Sequence, residues 1–252
     1  RSTLFPYTTL FRSALAFEAS VSDAGEVAGW NGGGLLGTLI LAEDLSTVAA
    51  PKTDEAPVVD GIIDEAWDGA VVFSTDKQIE GADGASAQIR ALWSQSGESS
   101  ALHLLFEVAD STPDVSSSEV HEQDSVEVFL DLGNLKSESY QDTDMQLRVN
   151  RENVTTFGTG NVGEQEQRVT SAVVPTETGY IVEVAIDLLS AGGDNTVQGF
   201  DAQVNDGVDG RRASVRIWAD PTGNSWRSPA HWGTMRLLPA PAADEPTVVI
   251  DG

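Results

Sequence analysis

The residues best suited to chemistry in this chain sit at every second position of short apolar runs. In SVEVFLD, Glu127 lies opposite Val126 and Val128. In MQLRVN, Gln146, Arg148 and Asn150 lie opposite Met145, Leu147 and Val149. In GFDAQVND, Gln203 and Asn205 lie opposite Phe200, Ala202 and Val204. A period of two is that of a strand with one buried face. If the three strands share a sheet, its polar face carries a carboxylate, a guanidinium and planar amides. Such groups make paired, directional hydrogen bonds to vicinal hydroxyls. Nearby, DPTGNSW (Asp220–Trp226) offers a tryptophan in a turn-rich context, and an indole in a loop can stack on the C–H face of a sugar ring. The same residues also describe a solvated sheet face with a Glu127–Arg148 cross-strand pair. On the residues alone the two readings stand level.

Other chemistries find less support. Glycoside hydrolysis needs two carboxylates about 5–5.5 Å or 6.5–9.5 Å apart; acids abound, but no such pair recurs on the polar face opposite Glu127, and Arg148 should keep Glu127 ionised and unfit as a general acid. The chain has no cysteine, no Gly-x-Ser-x-Gly and no phosphate-binding loop. His103 and His231 lack the spacing of a zinc site. With 40 acids against 14 bases and a net charge of -26, the surface repels phosphate backbones, so no nucleic-acid partner is expected. No run of 18 apolar residues exists, so no membrane-spanning helix is expected either.

The elements that must position these groups are strands. AQIRALW puts Ala87, Ile89, Ala91 and Trp93 on one face, and LHLLFEV does the same for Leu102, Leu104, Phe106 and Val108. YIVEVAI, SVRIW and TMRLL repeat the theme, with Gly, Asp, Asn and Ser clusters between them. No stretch keeps a helical period over ten residues. The pattern predicts an all-β fold, an antiparallel β-sandwich of immunoglobulin-like or jelly-roll type. Trp67 and Trp93 are expected in the core, and Trp232 either there or as a minor platform.

Two Pro/Ala/Asp/Glu/Thr-rich stretches, residues 44–56 and 239–247, read as linkers around a domain at 57–238. The flanks echo that domain. AFEASVSDAG (Ala16–Gly25) resembles GFDAQVNDG (Gly199–Gly207), and each is followed by a tryptophan and a Gly-Thr strand. DEAPVVDG (Asp54–Gly61) resembles DEPTVVIDG (Asp244–Gly252). The simplest account is a tandem array: residues 14–43 as the tail of a preceding copy, and 239–252 as a linker and the start of a further one. Arg1–Ser13 reads as a translated sequencing adapter and is set aside from fold expectations.

Five ordered stretches, PVVDGIIDEAW, EQDSVEVFLD, DMQLRVN, GFDAQVND and DPTGNSW…HWGTMRL, resemble family 9 carbohydrate-binding modules over nearly all of Pro57–Leu238. The resemblance implies a non-catalytic sandwich that targets a linked, secreted bacterial polysaccharide hydrolase, of endo-xylanase type, to glucan or xylan. It assigns sugar hydrogen bonds to Glu127, Arg148 and Gln203, stacking to Trp226 and an amide contact to Asn224. At the position of a second stacking tryptophan this chain has His121, whose ring offers less area. Copy one departs further: Ser20 and Ser22 stand where copy two has Gln203 and Asn205. Only six residues separate Trp30 from Gly37, against fourteen between Trp218 and Gly233, so the stacking loop is missing there. The resemblance also implies structural Ca2+, for which Asp110, Asp124 and Asp220 are the candidates, with Asp206 and Asp209 as a second cluster. Two alternatives are a spacer or adhesive array that binds no sugar, and a haem-binding sandwich relative. The second needs an axial His or Met, and Met145 falls on an apolar face.

Overall fold

The alternating runs fold as strands. The computed structural model describes residues 46–240 throughout, and before them the segments Ser13–Phe17, Ser20–Asp23, Glu26–Gly29 and Gly37–Leu41. The expectations for residues 1–12 and 241–252 lie outside the described residues. The chain divides into two units, residues 1–44 and 45–252. In the first, β1 (Ser13–Phe17) pairs with β4 (Gly37–Leu41), and β2 (Ser20–Asp23) pairs with β3 (Glu26–Gly29), both antiparallel.

The second unit is a sandwich of two sheets. One is built from β5 (Thr47–Ala50), β7 (Lys77–Glu80), β10 (Ser125–Asp131), β11 (Met145–Asn150), β12 (Thr155–Phe157), β15 (Val197–Val208), β16 (Arg211–Ile217) and β17 (Gly233–Leu237). Its order is β12–β11–β10–β15–β16–β7, with β17 on the free length of β15 and β5 on β17. The other sheet, in the order β13–β14–β9–β8–β6, comprises β6 (Val71–Ser74), β8 (Ser86–Ser96), β9 (Ser99–Ala109), β13 (Val169–Pro175) and β14 (Gly179–Asp187). The only α-helix among the described residues is the single turn Val162–Glu166.

The core lies where the period-two pattern places it. Val126, Val128 and Leu130, Met145, Leu147 and Val149, and Phe200, Ala202 and Val204 are buried against Ala87, Ile89, Ala91 and Trp93 and against Leu102, Leu104, Phe106 and Val108. Met145 is thus a core residue. Trp67 is buried too, but in a separate cluster with Leu92 and Leu105 on the outer face of the five-stranded sheet. Its indole N–H donates to Glu183 at 2.9 Å, and the same carboxylate accepts the amides of Asp60 and Gly61. One buried carboxylate thereby ties down the whole Asp60–Trp67 crossing.

Residues 44–56 hold a strand where a linker was expected. Thr47–Ala50 runs parallel to β17, pairing Thr47 with Thr234 and Ala50 with Leu237. Ala50 is fully buried and Val48 packs on the core. Four residues are too few to show a period, and β17 has no other neighbour on that edge. The open edge, more than the strand's own composition, selects the conformation.

The first unit repeats the register of the second. Phe17 faces Gly37 and Ala16 faces Thr38, as Phe200 faces Gly233 and Gly199 faces Thr234. Ser20 faces Gly29, with Trp30 next in sequence, as Gln203 faces Ile217, with Trp218 next.

Candidate functional site

β10 lies between β11 and β15, so one register line crosses three strands. Arg148 faces Glu127, which faces Gln203. All three are buried, Glu127 at 2% exposure. Glu127 Oε1 accepts from Arg148 Nε and Nη2 at 3.1 and 2.9 Å, from Asn205 at 2.8 Å and from Gln203 at 3.3 Å. Its Oε2 accepts from Gln146 at 2.8 Å. Arg148 Nη1 reaches Thr156 at 3.3 Å. A charge-assisted network of this kind holds each side chain in one rotamer. The amide nitrogens of Gln146 and Gln203 are committed inward, which leaves both Oε1 atoms as acceptors and the Arg148 Nη groups as donors for a ligand.

Trp226 stands over this row on the segment after β16, and at 60% exposure it is the one large exposed aromatic ring among the described residues. The loop beneath it is braced. Asp201, on the outer face of β15, accepts the amides of Ala219 and Asp220 at 2.8 and 2.9 Å and the Ser225 hydroxyl at 2.9 Å. Asp220 accepts the amides of Thr222 and Asn224 at 2.8 and 3.1 Å. Tyr140 donates to the Ser225 carbonyl at 2.7 Å and sets its ring edge-on to the buried Trp232. Trp232 is therefore core, and Asp220 is a loop brace. At Gly223 the chain turns with φ +68°, and a Cβ there would lie 2.3 Å from Ile79 of β7. Only a glycine lets the loop pass that close in that conformation.

Glu127, Arg148, Gln203 and Trp226 line one cleft of about 730 Å3. His121, on the 3-10 turn Val120–Glu122, lines it as well. Tyr140, Arg212 and Arg227 join them, and nothing in the sequence pattern singles these three out. Asn224 does not line the cleft; its amide is exposed and turns back onto Thr222 at 3.0 and 3.3 Å. Two carboxylates reach the cleft, and each is held by an arginine: Glu127 by Arg148, and Glu80 by Arg212 at 2.7 Å. Neither is poised as a general acid facing a second free carboxylate.

Away from the cleft, Asp110, Asp124 and Asp206 bring carboxylate oxygens within 4.8 Å of one another. This corrects the expected set. Asp206 stands where Asp220 was placed, because Asp220 sits at the other end of β15, beside Asp201. Asp209, proposed alongside Asp206, is not in the cluster. Asp124 accepts the amides of Asp114 and Gly207, yet burial, with a smaller push from Asp110, raises its carboxyl to about 7. Burial and Asp110 also raise Asp206. Arg151, 3.0 Å from Asp110, is the one cation paired with the three among the described residues.

The matching family model, described as carbohydrate family 9 binding domain-like, covers residues 59–239. Endo-1,4-beta-xylanase C of Paenibacillus barcinonensis is 40% identical over 185 residues, 72% of this chain and 16% of the relative. Endo-1,4-beta-xylanase A of Thermotoga maritima is 38% identical over 238 residues, 90% of this chain and 22% of the relative. This chain therefore spans about a fifth of the length of these curated relatives. Among solved structures, a family 9 carbohydrate-binding module from Caldicellulosiruptor kristjanssonii in complex with cellotriose is 28% identical with a TM-score of 0.71, covering 82% of this chain and 100% of that one. The same module in complex with glucose matches as well. A model covering most of the chain, relatives that match over this same region and a shared sandwich agree: the chain belongs to the family 9 carbohydrate-binding modules, which are non-catalytic.

Proposed function

We propose that the module holds a sugar unit of a glucan or xylan in the cleft, one ring face on Trp226 and its hydroxyls on Arg148, Gln203 and Gln146. The observation that carries this reading is the union of the fixed Arg148–Glu127–Gln203 row and the exposed Trp226 ring in one cleft. The cellotriose and glucose bound to the Caldicellulosiruptor module support it. In the full protein the module serves a linked polysaccharide hydrolase, secreted by a bacterium, as the xylanase names of its relatives suggest. Calorimetric titration with cellotriose and xylotriose is expected to show saturable binding, with no reducing sugar released over hours. Release of reducing sugar, or no heat with either ligand, would refute the reading.

The shared register of the two units supports reading residues 14–43 as the end of a preceding copy. That remnant carries Ser20 and Ser22 at the positions of Gln203 and Asn205, so sugar binding belongs to the second unit.

Asp110, Asp124 and Asp206 suit a calcium ion: three buried carboxylates face one arginine, and hard oxygen ligands are what this cation takes. The ion would relieve their mutual repulsion and pin β9 to β10 and β15. Calcium is expected to raise the melting temperature and excess chelator to lower it. In chelator, stability should fall as pH rises from about 4 to 7. Asp124 loses its proton near 7 when folded and near 3.8 when unfolded, so the folded state binds the extra proton in that window. Asp144 and Asp201, both raised to about 6 chiefly by burial, act in the same direction. Saturating calcium should remove the share of the slope that Asp124 contributes and leave that of Asp144 and Asp201. A melting curve indifferent to chelator would remove the ion from the account.

A further inference from the structure

The cleft differs in charge from the molecule around it. The chain carries a net charge of -26, whereas three arginines and two glutamates line the cleft, a formal excess of one positive charge. Arg148 is bound to Glu127 and Arg212 to Glu80. Arg227 is exposed and has no ion pair or side-chain hydrogen bond among the described residues. Its place is nonetheless fixed, since its backbone N–H donates to the Asn224 carbonyl at 2.8 Å, closing the turn that carries Trp226. The free guanidinium is therefore the residue next to the stacking ring, on the same cleft wall.

We propose that this cleft takes sugars bearing a carboxylate, a uronic or aldonic acid unit, with Arg227 as the anion's partner. A guanidinium offers two parallel donors that match a carboxylate edge, and pairing with a ligand leaves the two internal ion pairs intact. The acidic remainder of the surface does not forbid this. At physiological salt its field is screened within about 8 Å, so the local arginine decides. The inference rests on the sugar-binding reading above and adds to it the ligand's charge.

The test uses the whole chain and three disaccharides: neutral cellobiose, cellobiouronic acid with its carboxylate on the non-reducing ring, and cellobionic acid with its carboxylate at the other end. At about 150 mM salt, where the field of the acidic surface is screened, at least one acid is expected to bind about fivefold more tightly than cellobiose, the size of a solvent-exposed guanidinium–carboxylate pair. That ratio should shrink at 500 mM salt and fall to about one in Arg227→Gln, and the tighter acid shows which end of the ligand Arg227 meets. Two acids binding no better than cellobiose overturn the inference while leaving sugar binding in place, as does a preference that survives Arg227→Gln. No binding of any of the three would remove the sugar-binding reading, and this inference with it.

Discussion

Trp226→Ala is expected to weaken sugar binding roughly 50- to 100-fold while leaving the fold as stable as before. The ring is 60% exposed, so its removal opens no cavity. Surface changes of that kind stay within about 0.5 kcal/mol. Binding is another matter. A sugar face laid on the indole removes on the order of 100 Å2 of apolar surface from water, worth about 2.5 kcal/mol at about 25 cal/mol per Å2. That is a loss of roughly 50- to 100-fold, which would take a micromolar ligand to about 0.1 mM. Thermal melting and titration of the same sample separate the two effects. Retained affinity would mean that the ligand sits on the sheet row alone and that the Trp226 loop is a bystander.

Glu127→Ala should do the opposite and damage the module itself. The carboxylate accepts from four side chains and is paired with a buried arginine. Truncating it strands the Arg148 charge in a nearly closed environment, at a cost of about 3–5 kcal/mol. For a module of this size that lowers the melting temperature by about 10 °C. The diagnostic is the double variant. Removing Arg148 as well takes away the stranded charge, so Glu127→Ala/Arg148→Ala should be more stable than the two single losses summed. Simple additivity would show that the pair is solvated and that its buried geometry contributes little.

How much of this could be read from the sequence depends on how local each signal is. Glu127, Arg148 and Gln203 were legible because each alternates with core residues, which fixes its face. Trp226 was legible because a tryptophan between glycine, asparagine and serine has no apolar partners nearby in sequence. What required the fold was adjacency. Nothing in GFDAQVND says that Asp201 reaches forward to hold the Trp226 loop, although its outward position, two residues before Gln203, was visible. Likewise Asp110 directly follows a strand of one sheet while Asp206 belongs to the other. Spacing could not reveal that they meet, or that Asp220 points elsewhere. β5 was hidden for a related reason: its structure is supplied by the edge of β17, almost 190 residues away.

That pairing of β5 with β17 determines how the module carries load. The two strands are parallel neighbours, so the chain enters beside Thr234 and leaves beside Ala50, at opposite ends of one ladder. Tension applied between the start of β5 and the end of β17 slides one strand along the other. The ladder's hydrogen bonds are then strained together, whereas a hairpin pulled from its open end would unzip one bond at a time. Tension that runs along the chain through the module, in at residue 47 and out at residue 237, meets the ladder in this direction, the one in which it is hardest to tear.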